Sequence, residues 1–292
     1  MTPRPESFTD SWKAPETTYR MRIIDPHVHV WVNDPAYPWA PDNSNPPAED
    51  ASCEFLLEQM ARHGTEKTVL VQVIHYKWDN RYAGDCLKKY PDRFEGVCRV
   101  DPESPAAADD LSRWAEEYGF RGVRLSPGAG SEGDWFTRSD LDALWRRTRE
   151  LKVPMCILTV QERLPDLERW IRRYEDVQVC VDHMARPYVD RADGAANLLQ
   201  LARYPQVYVK ISGAWAVSGE SYPYRDTHAV VKQVYDAFGP ERLMWGTDWP
   251  LVEQKCGYSG ALDLVRKQFA FLNDADREWI LGGTVLRLWP FA

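Results

Sequence analysis

The sequence contains six cysteines, but none of them is arranged as a pair. No C-x-x-C motif occurs anywhere in the 292 residues, which excludes a zinc ribbon and a thiol redox motif. Several cysteines lie in apolar runs such as MCIL and VQVCV, where a buried free thiol is the usual state. We therefore expect a protein of a reducing compartment, with the cytoplasm as its location.

The chain also lacks an excess of positive charge and an apolar leading segment. It has 36 Lys and Arg against 44 Asp and Glu, a formal net charge of -8, which argues against nucleic acid or an anionic membrane as the main partner. Residues 1–20 are rich in Pro, Thr and charge and hold no apolar stretch. We expect them to form a flexible tail that is neither a signal peptide nor a membrane anchor.

From residue 21 onwards, short runs rich in Val and Ile alternate with longer segments of helical period. This alternation predicts repeated βα units and a parallel sheet. Eight units are the number in a (β/α)8 (TIM) barrel, and no linker divides them, so we predict a single α/β domain over residues 21–292. A doubly wound open sheet is the alternative, but DPHVHVW occupies the place of its Gly-rich phosphate loop. The predicted strands are 22–29, 66–74, 94–100, 120–126, 153–159, 177–182, 207–212 and 242–247.

The helical segments carry recognisable end signals. We expect one helix to end at Gly64 and another at Gly239, because glycine is the preferred residue where the chain leaves a helix. The segment from Gly260 to Leu281 is predicted to form the last part of the helical layer. The Pro-rich segment 32–50 is expected to be the first βα loop, at the mouth of the barrel or elsewhere on the surface.

Asp25, His27 and His29 are spaced by two residues on the first predicted strand. Because side chains alternate along a strand, we expect all three to point into the barrel. The alternate side chains, Ile24, Val28 and Val30, should then point outwards. Buried polar groups without partners are costly, so a metal, a charged network or a substrate should accompany them. Histidines that are hydrogen-bonded within the core are the alternative.

Two further motifs place chemistry at the same end of the barrel. Asp248 follows the eighth predicted strand and His183 follows the sixth. The carboxyl ends of all barrel strands meet at one face, and the eighth strand neighbours the first, so Asp248 should lie within reach of His27 and His29. A helix cap is the alternative role for Asp248. His75, at the end of the second predicted strand, is expected either to contact the substrate or to be a hydrogen-bonded loop residue.

Basic residues also gather at the predicted strand ends, which is unexpected in a chain with a net charge of -8. Cations around one mouth suggest a small anionic substrate, and salt bridges within the barrel are the alternative. The 13 tryptophans suggest a pocket for a compact organic molecule, with Trp249 among its contacts. The cations are Arg99, Arg124 and Lys210 on the strands and Lys77, Arg81 and Arg186 in adjoining loops.

Taken together, these motifs resemble the amidohydrolase superfamily. The sequences IIDPHVHVW, VDHMARP and MWGTDWP are similar to those of its lactone-hydrolase branch, the amidohydrolase-2 group, which contains 2-pyrone-4,6-dicarboxylate lactonase, 4-sulfomuconolactonase and sugar lactonases. The resemblance covers about residues 22–292. It implies that His27, His29, His183 and Asp248 form the reaction centre, in which Asp248 takes a proton from water.

The resemblance leaves the metal open. Binuclear members need Lys or Glu on the fourth strand, where this chain has Arg124, a side chain that cannot act as a ligand. Mononuclear members often use a fifth-strand His, where this chain has Thr159. We therefore expect either one zinc ion, held by His27, His29, His183 and Asp248, or no metal at all. The missing ligands favour a reaction that survives removal of the metal.

The function that the resemblance implies is opening of a lactone ring in a small, carboxylated substrate. Asp248 would be the base and the three histidines would polarise the carbonyl, while His75, Arg124, Arg186, Lys210 and Trp249 would bind the substrate. A metal-dependent decarboxylase of carboxylated aromatic or muconate-type compounds is the alternative among enzymes. A barrel without activity that serves as a binding protein is the alternative of another class. The sequence leaves open whether the chain forms a homo-oligomer.

Overall fold

The computed structural model describes residues 21–127, 136, 141–289 and 291. The predicted tail over residues 1–20 lies outside the described residues. Eight strands are hydrogen-bonded side by side in parallel, in the same order as in the sequence, which confirms the predicted (β/α)8 barrel. The strands are β1 Ile24–Val28, β2 Lys67–Val71, β3 Phe94–Arg99, β4 Val123–Leu125, β5 Met155–Ile157, β6 Val179–Val181, β7 Val207–Lys210 and β8 Leu243–Met244.

The helices pack outside the strands. Two of the predicted helix ends are confirmed: α1 ends before Gly64, which has a left-handed backbone, and α7 ends before Gly239. The α-helices are α1 Cys53–His63, α2 Arg81–Lys89, α3 Ala107–Tyr118, α4 Leu141–Leu151, α5 Leu164–Arg173, α6 Ala196–Gln200, α7 His228–Phe238, α8 Gly257–Asp263, α9 Asp274–Glu278 and α10 Thr284–Leu288. No helix in the described part of the chain is long and apolar enough to cross a membrane.

The last helical layer is divided more finely than the sequence indicates. The predicted segment from Gly260 to Leu281 contains the end of α8, a π-helical turn and α9. Asn273 starts α9 with a capping box: its side chain accepts from the Asp276 backbone, and the Asp276 side chain accepts from the Asn273 backbone. The cap at Asn273 starts a new helix inside the segment. The spacing of apolar residues continues across this boundary, so the sequence pattern does not reveal the break.

Two apolar cores lie on either side of the strands. The larger one fills the space between strands and helices. The smaller one consists of buried side chains from most of the strands, among them Val69, Cys156 and Met244, together with the C-terminal residues Leu288 and Trp289. Side chains from so many strands can meet only on the barrel axis. The C-terminal segment therefore packs against the interior of the barrel at its lower end.

The first strand departs from the predicted alternation. Asp25 pairs with Thr68 and Val28 pairs with Leu70, so β1 holds one residue more than β2 between these pairs. Such a β-bulge changes the side to which the following residues point. The prediction that Asp25 points in the same direction as the two histidines is therefore wrong. Ile24, predicted to point outwards, instead belongs to the smaller, interior core.

Asp25 instead joins β1 to the turn that follows β8. Its carboxylate accepts hydrogen bonds from the Thr247 hydroxyl at 2.5 Å, the Thr247 backbone at 3.2 Å and the His27 backbone at 3.1 Å. The side chain is fully buried, and burial raises the pKa of Asp25 to about 6 against the lowering effect of these hydrogen bonds. Asp25 is thus a structural link that holds the backbone of His27 and of Thr247, the residue before Asp248.

Main-chain hydrogen bonds complete the barrel between its first and last strands. The Asp248 backbone donates to the His27 carbonyl at 2.9 Å, and the His29 backbone donates to the Trp249 carbonyl at 2.7 Å. Val28 and Trp249 form a parallel bridge at the same point. This closure brings the turn that carries Asp248 against the end of β1, where both histidines lie.

Candidate active site

Three histidines surround the carboxylate of Asp248 at the carboxyl ends of the strands. Nε2 of His29 lies 3.2 Å and Nε2 of His27 lies 3.7 Å from Asp248 Oδ1, and Nε2 of His183 lies 3.9 Å from Oδ2. The rings of His27 and His183 are 4.6 Å apart between centroids. The four residues of the predicted reaction centre are thus brought together from β1, β6 and β8.

A cavity of about 260 Å³ lies above this cluster. Its floor holds His29, His183 and Asp248, and its wall carries three arginines together with apolar and aromatic side chains. Small-ligand sites of this kind have a mostly apolar lining with a few convergent polar groups. The wall is formed by Trp31, Val73, Ile74, His75, Arg99, Arg124, Ser126, Leu158, Arg186, Gly213, Trp215, Ala216 and Leu251.

The environment of Asp248 keeps its carboxylate ionised. Burial acts to raise the pKa of Asp248, but the nearby His183 and the hydrogen bond from His29 lower it below the usual range. Burial also lowers the pKa of His183, although the charges of Asp248 and Asp182 oppose this. At neutral pH the cluster therefore contains an acceptor for a proton within reach of several imidazole nitrogens.

His29 is oriented by the backbone of β2. Its Nδ1 lies 2.7 Å from the Val71 carbonyl oxygen, and a carbonyl only accepts, so Nδ1 carries a proton. Nε2 then faces Asp248 Oδ1 at 3.2 Å. If Nε2 were unprotonated, its lone pair would face a lone pair of the carboxylate oxygen, and the two would repel each other at this distance. A proton on Nε2, or a metal ion between the two atoms, removes this repulsion.

His27 is oriented from below by a buried lysine. Lys210 Nζ lies 3.1 Å from His27 Nδ1 and 3.0 Å from Asp182 Oδ1. An ammonium only donates, so Nδ1 of His27 accepts, and Nε2 of the neutral ring carries the proton. Burial and the charge of Lys210 lower the pKa of His27 well below its usual range. Nε2 is buried and has no hydrogen-bond partner among the described residues, so it can donate to a group that enters the cluster.

Asp182 joins this lysine to the cavity wall. Its second oxygen accepts a hydrogen bond from Nε of Arg124 at 2.9 Å. Burial acts to raise the pKa of Asp182, but Lys210, His27 and Arg124 hold it well below its usual range. Arg124 therefore combines both roles weighed for it: it pairs with a carboxylate inside the barrel and also lines the cavity.

Three of the four predicted metal ligands lie close enough together to bind one ion. One ligand atom from each of His27, His183 and Asp248 lies within 4.8 Å of the others, and imidazole nitrogen with carboxylate oxygen is a donor set that zinc accepts. The buried Nε2 of His27 points into this group. His29, also predicted as a ligand, lies outside the group of three but contacts the same Asp248 oxygen. The donor set thus fits a single zinc ion.

Two residues predicted to bind substrate lie elsewhere. Lys210 is fully buried below the cluster, where Asp182 and His27 occupy its ammonium. Trp249 is also fully buried, and its ring packs against Phe55 of α1 with 5.7 Å between centroids. Asp248 faces the cavity, and its neighbour Trp249 belongs to the core between strands and helices. The expectation that Lys210 and Trp249 contact the substrate therefore does not fit their positions.

The other predicted contacts do line the cavity. His75, Arg124 and Arg186 are among the wall residues. His75 lies in a short 3₁₀ turn after β2, edge-on to Trp31 with 5.7 Å between the ring centroids. Burial lowers the pKa of His75. Its neutral ring can accept or donate a single hydrogen bond to a substrate.

Sequence reasoning missed several wall residues. Ser126 follows β4 directly and could have been found from its place at a strand end, whereas Trp215 lies in a short 3₁₀ turn that no hydrophobic period marks. Ser212, whose hydroxyl lies 2.9 Å from Nδ1 of His183, follows β7 in the same way. Gly213 has a φ of 73°, a backbone that favours glycine, and a Cβ there would lie 3.0 Å from the His183 ring and press against it.

Comparison of the sequence with known protein families agrees with the geometry of the site. The sequence model of the amidohydrolases matches residues 24–291, nearly the whole described barrel. The chain belongs to the amidohydrolase family. It is accordingly a hydrolase, and the site above is the candidate site of this amidohydrolase.

Two curated relatives and one solved structure illustrate the family. An L-fucono-1,5-lactonase of Burkholderia multivorans is 31% identical over 90% of this chain and 94% of its own length. A 2-pyrone-4,6-dicarboxylate hydrolase of Comamonas testosteroni is 29% identical over 78% of this chain and 76% of its own. The crystal structure of an amidohydrolase from Burkholderia multivorans with bound zinc has a TM-score of 0.75 at 26% identity and covers 93% of this chain and 100% of that one.

Replacement of Lys210 by Met tests whether this lysine is structural. We expect the free energy of unfolding to fall by about 3–5 kcal/mol, because Asp182 would lose a partner inside the barrel. Urea unfolding of the purified variant gives the value. Arg186→Met, which removes an exposed cation from the same cavity, is the matched control and should leave stability unchanged. An unchanged stability of Lys210→Met together with weaker substrate binding would instead restore the role predicted from the sequence.

Proposed function

We propose that this amidohydrolase opens the ring ester of a small carboxylated lactone with water that Asp248 activates. The observation that carries the proposal is the ionised Asp248 carboxylate, held among three histidines beneath a wall that bears three arginines. The names of the relatives support it, since a fuconolactonase and a pyrone dicarboxylate hydrolase both act on lactones. The same names favour hydrolysis over the decarboxylation that the motifs also allow.

The chemistry needs a base for the water. A water molecule bound between Asp248 and the lactone would attack the carbonyl carbon, and its proton would pass to the Asp248 carboxylate. The tetrahedral intermediate then collapses as the ring carbon–oxygen bond breaks. Asp248 returns the proton to the leaving oxygen, so lactone and water give one open-chain hydroxy acid or its keto form. The carboxylate ends the cycle ionised, as it began.

The histidines would stabilise the charge that develops on the carbonyl oxygen. Nε2 of His27 is a buried donor because Lys210 occupies Nδ1. The Ser212 hydroxyl can donate to Nδ1 of His183, which leaves Nε2 of His183 as a second donor on the same side. Preorganised donors in a buried site are worth more than in water, since they need no reorientation during the reaction.

A zinc ion, when bound, would be held by His27, His183 and Asp248 and would act as a Lewis acid on the carbonyl. The chain's own residues supply a base and two donors at the same place. Lys210 also favours the proton on Nε2 of His27, the atom that a metal would need unprotonated. We therefore propose that the residues suffice for the reaction.

The positive charge of the cavity wall favours a negatively charged substrate. Arg99 and Arg124 lie side by side at the ends of adjacent strands, where they pair in register, and burial, together with the charge of Arg124, lowers the pKa of Arg99 to about 9. Arg186 lies across the cavity in the turn after β6. A carboxylate among these groups would make charge-assisted hydrogen bonds and offset their mutual repulsion.

Asp248→Asn tests the proposed base. Asn is nearly isosteric with Asp but cannot take the proton, so turnover should fall at least about a hundredfold while the melting temperature stays close to that of the wild type. Steady-state rates by proton release, followed on a panel of carboxylated lactones, provide the measurement, and a carbon dioxide assay on carboxyphenols tests decarboxylation in parallel. Wild-type turnover in a folded Asn variant would refute the mechanism.

Arg186→Met tests the charge of the substrate. We expect KM for a carboxylated lactone to rise tenfold or more, about 1.4 kcal/mol for a lost charge-assisted contact, and KM for a neutral lactone of the same ring to stay unchanged. Comparison of the two substrates is the control, since a general disturbance of the cavity would affect both. Equal effects on both lactones would contradict the assignment.

Removal of metal tests the last part of the proposal. After dialysis against a strong chelator and elemental analysis for zinc, we expect the metal-free protein to keep its turnover. A zinc content of one per chain, with activity that is lost on chelation and restored by zinc, would overturn this expectation. His27, His183 and Asp248 would then act as its ligands.

A further inference from the structure

The turn after β6 has an uncommon backbone. His183, Met184, Ala185 and Arg186 have φ values of 51°, 54°, 51° and 49°. The left-handed region is costly for residues that carry a Cβ, and successive residues there are rare. Strain of this kind persists only where the surrounding structure imposes it, and it is frequent at functional sites. Both end residues of this turn, His183 and Arg186, line the cavity.

One buried side chain, that of Gln161, binds the backbone of the two middle residues of this turn, Met184 and Ala185. Nε2 of Gln161 donates to the Met184 carbonyl at 2.8 Å and to the Ala185 carbonyl at 3.1 Å. Its Oε1 accepts from the Leu198 backbone in α6 at 3.2 Å. Gln161 is 4% exposed and lies in the loop between β5 and α5. A single amide thus joins this loop, the left-handed turn and α6.

The chemistry of these contacts requires an amide. The two carbonyls need donors and the Leu198 backbone N–H needs an acceptor, and only a primary amide supplies both from one side-chain end. A glutamate of the same shape would place negative charge against two carbonyl oxygens. Gln161 itself is anchored, because its own carbonyl accepts from the Asn197 side chain at 2.9 Å.

We propose that Gln161 is a positioning residue, whose amide holds the left-handed turn so that His183 and Arg186 face the cavity together. Gln161 is absent from the cavity lining, so it acts through the turn and not by contact with a substrate. The expected effect of Gln161 on catalysis rests on the proposed lactone hydrolysis. Its effect on the conformation of the turn does not depend on any activity, so it can be measured separately.

The first measurement follows the turn itself. In Gln161→Met, which removes the donors but keeps the volume, amide hydrogen exchange of Arg186 should speed up at least tenfold. That amide donates to the His183 carbonyl at 3.0 Å in the intact turn. Gln206→Met is the matched control, because the Gln206 amide also donates to a backbone carbonyl, at 3.4 Å, but just before β7 at the other end of the barrel. Should Gln161→Met fail to fold, Gln161→Asn retains the amide but shortens its reach.

The second measurement follows the site through a double-mutant cycle. Gln161→Met should raise KM for a carboxylated lactone about tenfold in the wild-type background and leave it unchanged in Arg186→Met, since the cation that the turn positions is then already missing. Because His183 is still present in Arg186→Met, a loss of kcat through that histidine should appear in both backgrounds, and KM is the readout that isolates Arg186. A role in stability alone would leave KM of the folded variant unchanged in both backgrounds. Gln206→Met should leave kcat and KM at wild-type values.

The outcomes separate this inference from the proposed function. Wild-type exchange at Arg186 in the Gln161 variants, or an unchanged KM in the wild-type background, or the same increase in KM in both backgrounds, would overturn the role of Gln161. If no lactone is hydrolysed, the proposed function fails, and faster exchange at Arg186 with at least tenfold weaker binding of citrate as a carboxylate probe would still support the hold on the turn.

Discussion

The closure between β1 and the turn after β8 is the constraint on which the site depends. Two main-chain hydrogen bonds join the residues on either side of it, from Asp248 to His27 and from His29 to Trp249. Asp25 adds a side-chain link to the same turn through Thr247. Because the first two are backbone contacts, the fold fixes the positions of the main chain that carry Asp248 and the two histidines. This rigidity would suit the proposed orientation of a water molecule by the site.

Charge inside the barrel is arranged around one carboxylate. Asp182 receives the ammonium of Lys210 on one oxygen and the guanidinium of Arg124 on the other. The lysine sets the proton position on His27, and the arginine lines the cavity wall, so one buried network connects the floor of the site with the wall that carries the three arginines. A carboxylate that pairs with one cation on each oxygen can keep both cations in a nearly dry interior.

The sequence predicted the barrel and the meeting of the three histidines with Asp248, because both depend on strand ends, which the Val- and Ile-rich runs mark well. It misplaced Asp25 and Ile24, since strict alternation cannot foresee the extra residue of the bulge near Pro26. It also assigned Lys210 to the substrate, because a cation at a strand end looks the same whether its partner is a ligand or a buried carboxylate. Gln161 belongs to no motif, and its contacts arise only when its loop, the turn after β6 and α6 meet in the fold.

The C-terminal segment gives the barrel a closed lower end. Leu288 and Trp289 pack on the interior core, and Trp289 Nε1 donates to the Arg121 carbonyl at 3.0 Å. In the described part of the chain, the core side chains below the cluster are buried, and the cavity lies at the upper end, above the cluster. For the proposed hydrolysis, substrate, water and product would then share one entrance. The water would have to be bound before the substrate covers that entrance, and the opened acid would have to leave before the next water molecule enters.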